Sequence, residues 1–166
     1  MTISLHIWTL ADNPTLIALC NAVDRTFLSD QLPNPYTEAD ADWWLGMVTE
    51  NEGKEGVWRS IWADGQIIGS ISVERKDDNG QAIGEIGYMI LTPWWSNGIG
   101  TEAVKQICEI AFRELELQQI VGNVFPENVA SARVLEKNGF QLDGTMVGAV
   151  VKGGNAMDAR VYRLDQ

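Results

Sequence analysis

The sequence predicts an α+β fold, one mixed and mainly antiparallel sheet flanked by about four helices. Three observations carry that expectation. Residues 55–91 read as three strand-like runs joined by turn signals, the pattern of an antiparallel meander. A helical stretch from about Gly100 to Leu115 then separates the last of these runs from one further strand-like run, which implies a crossover and one parallel pair. Two last runs flank "KGGN" near the end. No repeat, low-complexity tract or linker interrupts the 166 residues, so a single domain over 1–166 is expected.

Each element has a local reason. "SLHIWTLA" reads as a first strand. Asn13-Pro14 opens a helix to about Leu28, with proline near the first helical position, where its missing N–H costs little. "SDQLPNPY" is a loop. Thr37 caps a second helix and Asp40 stands three residues on, at capping-box spacing; this helix bears Trp43, Trp44 and Met47. "EGVWRSIWAD" and "QIIGSISVER" are joined by the hairpin signal Asp64-Gly65. "DDNG" turns the chain into "IGEIGYMIL". In the next helix Val104, Cys108, Ala111 and Leu115 share one face. "QQIVGNVF" is a strand, "ENVASARVLEKNG" a short helix ending at Gly139, and "FQLDGTMVGAVV" and "MDARVYRLD" are the closing strands.

Composition removes several function classes. The formal net charge of −11 argues against nucleic-acid binding, which depends on cations meeting phosphates, and leaves room for a cationic partner. One histidine (His6) and two separated cysteines (Cys20, Cys108) make neither a zinc site nor a disulfide framework, so no metal is expected and both thiols read as buried. No stretch approaches the ~18–20 apolar residues of a membrane span, and "MTISLHIW" lacks a basic region before an apolar run. A cytoplasmic protein without a membrane partner is expected. Nothing in the sequence fixes an oligomeric state.

The segment "PWWSNGIGTEAVKQICEIAF" places Gly98 and Gly100 at the start of a helix. Such a turn is an anion site, because the first-turn N–H groups have no intrahelical partner and the dipole favours negative charge. Gly98–Ala103 also fits G-x-G-x-x-A, a dinucleotide fingerprint. That pattern belongs after the first strand of a parallel βαβ series, and here three antiparallel strands precede it. A P-loop is excluded because no Lys-Ser/Thr follows the turn. A helix entry that merely needs glycine remains the plain alternative.

Two stretches, "YMILTPWWSNGIGTEAV" and "NVASARVLEKNGF", together resemble the GNAT superfamily of acyl-CoA-dependent N-acyltransferases, in particular its RimJ/RimL-like branch. "LPNPYTEADADWW" has the look of the same branch, so the resemblance covers most of the chain. It implies a central parallel pair of strands that splay apart, with acetyl-CoA as cosubstrate. The pyrophosphate would meet the N–H groups of Asn97, Gly98, Ile99, Gly100 and Thr101. Any side chain at Gly98 would block its approach. The family's arginine or glutamine stands here as Trp95, the following glycine as Ser96 and the basic residue as Asn97. The pantetheine arm would run along Met89, Ile90 and Leu91, with a bulge aiming a backbone N–H at the thioester, and Asn128 would sit at the mouth of the splay; a helix cap alone is the alternative for Asn128.

Amine acetylation needs a base for the ammonium, a donor for the oxyanion and a hydrogen bond for the leaving sulfur. Glu85 is the candidate base, acting through water; a paired or surface glutamate is the alternative. The family's thiolate-acid tyrosine falls on Leu135, so Ser131 is the candidate sulfur donor; a serine satisfying helix backbone is its alternative. Tyr36, in the loop from Leu32, and Trp43 or Trp44 would line the acceptor side. The expected function is transfer of acetyl from acetyl-CoA to a primary amine, a peptide N-terminus before a lysine side chain. Polyamine or other small-amine acetylation, a non-catalytic acyl-CoA sensor and a dinucleotide-binding redox protein are the alternatives.

Overall fold

In the computed structural model, which describes residues 2–166, seven strands and four α-helices form one layer of sheet with helices on both faces. The strands are β1 (Ile3–Ile7), β2 (Gly56–Ala63), β3 (Gln66–Arg75), β4 (Ile83–Ile90), β5 (Gln119–Val124), β6 (Gln141–Lys152) and β7 (Asn155–Asp165). The helices are α1 (Asn13–Ala22), α2 (Glu38–Asn51), α3 (Ile99–Leu115) and α4 (Val129–Lys137). Sheet order is β1-β2-β3-β4-β5-β7-β6, and only β4 and β5 run parallel, joined through α3 as the sequence implies. No helix among the described residues is long and apolar enough to cross a membrane.

Local signals explain most boundaries. Asp64 and Gly65 both have positive φ, as a two-residue hairpin of the favoured hand requires. Thr37 and Asp40 form the reciprocal capping box at the start of α2. Two differences from expectation stand near the N-terminus. The first strand stops at Ile7, and Trp8 turns inward to 1% exposure. Helix α1 stops at Ala22 rather than near Leu28, because Val23 is already extended. The Arg25 guanidinium gathers the carbonyls of Cys20, Leu32 and Pro33, so it organises the loop that follows instead of prolonging the helix.

Two cores cover the two faces. On one face α3 and α4 pack Val104, Ile107, Ala111 and Leu135 against Ile86 and Ile120. On the other, α1 and α2 pack Leu16, Leu45 and Val48 against Trp8 and Trp58. Cys108 lies in the first core and Cys20 in the second, both as free thiols that burial pushes up to about 12.

Candidate functional site

Strands β4 and β5 pair only from Ile83↔Gln119 to Ile86↔Gly122. Beyond that point β5 follows β7 to Val124↔Arg160, while β4 follows β3 to Ile90↔Gly69. A gap therefore opens between the central strands from Gly87 onward. Hydrogen-bond alternation decides which backbone groups of β4 face it. Lys76 N–H donates to Ile83 and Leu91 N–H donates to Ile68, so odd-numbered β4 residues spend their backbone on β3. Tyr88 and Ile90 face the gap instead. Of the expected edge Met89–Leu91, Ile90 thus presents its backbone, and Met89 and Leu91 do not. The β3–β4 register runs without a shift, so the bulge that the resemblance implies in β4 is absent.

The gap ends at the glycine turn. Gly98 has φ of +74° and an added Cβ would meet nothing within 4 Å, so its glycine serves backbone conformation and leaves open space outside. Gly100 is different: its Cβ would stand in ordinary contact with Val134 Cγ2 at 3.4 Å, so it faces α4 rather than open space. No carbonyl or side chain among the described residues accepts from the N–H groups of Gly98, Ile99, Gly100 or Thr101, and the N-cap has no side-chain bond. That end of α3 carries unpartnered N–H groups among the described residues, a geometry that suits an anion. The loop before it is braced from within. Trp95 Nε1 donates to the Ile90 carbonyl at 2.7 Å, and Asn97 Nδ2 to the carbonyls of Trp94 and Trp95. Ser96 sits at φ of +63°, where glycine is preferred. Ser96→Gly is therefore expected to stabilise the protein by about 0.5–1 kcal/mol, the released strain being partly offset by unfolded-chain entropy. A urea midpoint shifted upward checks this; a lower midpoint contradicts it.

Alternation along β4 sends side chains to opposite faces. Glu85, Gly87 and Met89 point toward α1 and α2; Ile86, Tyr88 and Ile90 point toward α3 and α4. The half-buried Glu85 accepts from Asn123 Nδ2 at 3.3 Å, across the start of the gap. Asn123 Oδ1 is buried without a partner. Glu85 lies directly opposite Glu74 on β3, whose carboxylate accepts from Trp58 Nε1 at 3.3 Å. Neither carboxylate has a cation within salt-bridge distance among the described residues, so this face of the gap carries uncompensated negative charge.

On the other face, Asn128 caps α4 by accepting from Ser131 N–H at 3.2 Å. The Ser131 hydroxyl lies 2.6 Å from the Tyr88 hydroxyl. Burial pushes the Tyr88 phenol above its ordinary value, with the Ser131 hydrogen bond pulling the other way. Leu135, the family's tyrosine position, is 1% exposed in the core.

The three aromatic candidates separate. Tyr36 is 5% exposed and packs in the α1–α2 core, so it does not line an open cleft. Trp44 packs edge-on against Trp8, and Trp43 is 71% exposed. The loop after α1 meets the β6–β7 hairpin: Lys152 Nζ donates to the carbonyls of Arg25 and Leu28, and Asp30 accepts from the N–H groups of Gly153 and Gly154. Those two N–H bonds hold the Asp30 carboxyl below the usual range.

Sequence reasoning missed Tyr88, Asn123 and the Lys152 contact. Alternation in "GEIGYMI" sets Tyr88 on the face opposite Glu85, but its partner is 43 residues away. "QQIVGNVF" does offer a signal for Asn123, a polar residue in an otherwise apolar end of a strand.

The family described as an acetyltransferase (GNAT) domain matches residues 3–141. The uncharacterized N-acetyltransferase YoaA of Bacillus subtilis (strain 168) is 36% identical over 80 residues, which are 48% of this chain and 45% of that protein. The matched stretch spans about half the length of such curated relatives. Mycobacterium smegmatis RimJ, solved in complex with CoA-disulfide, superposes with a TM-score of 0.85 at 20% identity, over 98% of this chain and 81% of RimJ. RimL, a ribosomal L7/L12 alpha-N-protein acetyltransferase solved with coenzyme A, gives 0.86 at 18% identity, over 99% and 94%. At these identities the two structures speak to the fold.

Proposed function

The chain belongs to the GNAT acetyltransferase family, and from that premise we propose that it is an N-acetyltransferase moving the acetyl group of acetyl-CoA to a primary amine, a protein N-terminal α-amine before other acceptors. The observation that carries this reading is the gap between β4 and β5, with an anion-binding helix end and Ser131 toward one face and Glu85 toward the other. The residues fit acetyl-CoA. Free N–H groups at Gly98–Thr101 suit its pyrophosphate, the open space outside Gly98 admits it, and the gap-facing backbone of Tyr88 and the N–H of Ile90, whose carbonyl already accepts from Trp95, suit the pantetheine amides. Asn128 has its Nδ2 free of protein partners among the described residues, available to the same arm. When bound, acetyl-CoA supplies the activated acetyl group. Asn97 braces the loop through its side chain.

Glu85 takes the proton of the incoming ammonium through water, since only the free amine attacks. Ser131 hydrogen-bonds the sulfur from the opposite face. The two groups thus act from the two sides of the sheet, which keeps amine and thioester from competing for one entrance.

An α-amine, with a pKa of roughly 7.7–8.0 against about 10.4 for lysine, is about 400-fold richer in free base at neutral pH. A site in which Glu85 is the one base assigned, with no proton relay behind it, suits that acceptor. The likeness to proteins named for ribosomal α-N-acetylation supports the same choice. Exposed Trp43 offers a face for an apolar first residue or a cation. One observation favours a second reading, a polyamine: Glu74 stands beside Glu85 without a cation, and it lines a cavity of about 240 Å³ with Glu55 and Asn51, to which Arg75 and Lys76 also contribute. A competition decides. Peptides with free N-termini are expected to turn over faster than N-blocked peptides carrying lysine, and faster than spermidine. Faster spermidine or blocked-lysine turnover overturns the α-amine choice and leaves the acetyltransferase reading standing.

A further inference from the structure

The inference rests on the acetyltransferase reading and adds one residue to it. Tyr88 and Ser131 carry one hydroxyl proton each, and their oxygens lie 2.6 Å apart. A hydrogen bond between them consumes one of those protons whichever oxygen donates, so one O–H is left to give. Neither hydroxyl has another partner among the described residues, and Ser131 N–H is already spent on Asn128. A half-buried donor with nothing to bond is unfavourable on its own account. It is provided for when an acceptor atom enters the gap.

We propose that Tyr88 is the positioning residue for Ser131: its phenolic O–H donates to Ser131 Oγ, and Ser131 thereby aims its own hydrogen at the sulfur of the thioester. A phenol is the stronger donor and poorer acceptor of the two hydroxyls, which fixes the direction. The donated bond also polarises the serine O–H and strengthens its outward hydrogen bond. The bookkeeping is simple. The free amine's nitrogen bonds the carbonyl carbon, the carbon–sulfur bond breaks, its electron pair goes to sulfur, and the sulfur accepts a hydrogen bond. Neither hydroxyl loses its proton, and the released thiolate is protonated by water. Tyr88 thus supports, from β4, the donor that α4 carries at Ser131, while Leu135 on the same helix is buried.

The test reads the thiol of CoA bound to the protein, by thiolate absorbance against pH. Cys20 and Cys108 are held up to about 12 and stay silent across the window. In the wild-type protein the bound thiol is expected to ionise about one pH unit lower than in Tyr88→Phe, the tenfold bias of one hydrogen bond to an ionised group. Ser131→Ala should raise it equally, and the double variant no further. Shifts that add, or a thiol unmoved by Tyr88→Phe, overturn the proposal. Thermal melting of each variant checks folding, and Ser131→Ala carries the comparison if Tyr88→Phe is unstable, an unmoved thiol there being equally fatal. The titration needs no acceptor amine, so its failure is distinct from failure of the function. If the wild-type protein does not bind CoA, the acetyltransferase reading falls and this inference falls with it.

Discussion

Glu85→Gln is expected to lower kcat about a hundredfold at neutral pH, the lower end of what a positioned base supplies, while CoA affinity stays unchanged. The substitution is nearly isosteric. Glutamine keeps an oxygen to accept from Asn123 Nδ2, so the geometry at the start of the gap survives. What is lost is the acceptor for the amine's proton. As pH rises, the free-amine fraction grows and the base is needed less, so the deficit should shrink toward the amine's own pKa. CoA affinity is insulated because Glu85 faces α1 and α2, across the sheet from the end of α3. Wild-type rates for the variant at every pH would remove Glu85 from the mechanism.

Substituting Gly98 is expected to weaken CoA binding at least tenfold, about 1.4 kcal/mol. The choice of residue matters. Valine at φ of +74° strains the backbone whatever the ligand does, and it would turn the N–H groups away as well. Asparagine tolerates left-handed backbone, so Gly98→Asn should cost the fold only about 1 kcal/mol while placing a side chain in the open space outside the turn. Calorimetric titration with CoA reads the loss, and urea unfolding controls for stability. Unchanged affinity in a folded Gly98→Asn protein would take the pyrophosphate away from α3.

The two substitutions also mark how far the sequence alone reaches. The meander was legible because Asp64-Gly65 and "DDNG" leave the backbone few other turns, and the capping box at Thr37 and Asp40 placed the start of α2 to the residue. The parallel pair followed from the intervening helix. The end of α1 was not legible, because it depends on Arg25 reaching carbonyls up to eight residues away in a loop with no periodic pattern. At the site, the glycine pair located the turn and the resemblance pointed to Asn128, both features of short local segments. It could not give the pairing of Tyr88 with Ser131, which needs β4 and α4 in register. Nor could it show that Met89 and Leu91 spend their backbone on β3, since that is decided by the phase of hydrogen bonding between strands. Tyr36 misled for a related reason: a loop tyrosine beside prolines reads as exposed, yet its N–H and carbonyl are held by Asn21 and its ring enters the core.

The central claim is that one gap joins an acetyl-CoA site on one face of the sheet to an amine site on the other. The most direct measurement mixes the protein, acetyl-CoA and a peptide with a free N-terminus, then counts released thiol against acetylated peptide, with the acetyl group located by fragmentation mass spectrometry. The expected result is one thiol per acetylated peptide, with the acetyl group on the α-nitrogen and release dependent on the peptide. Thiol release no faster than the protein-free background with every amine tried, although CoA binds, would contradict the account and leave an acyl-CoA-binding domain without transfer chemistry.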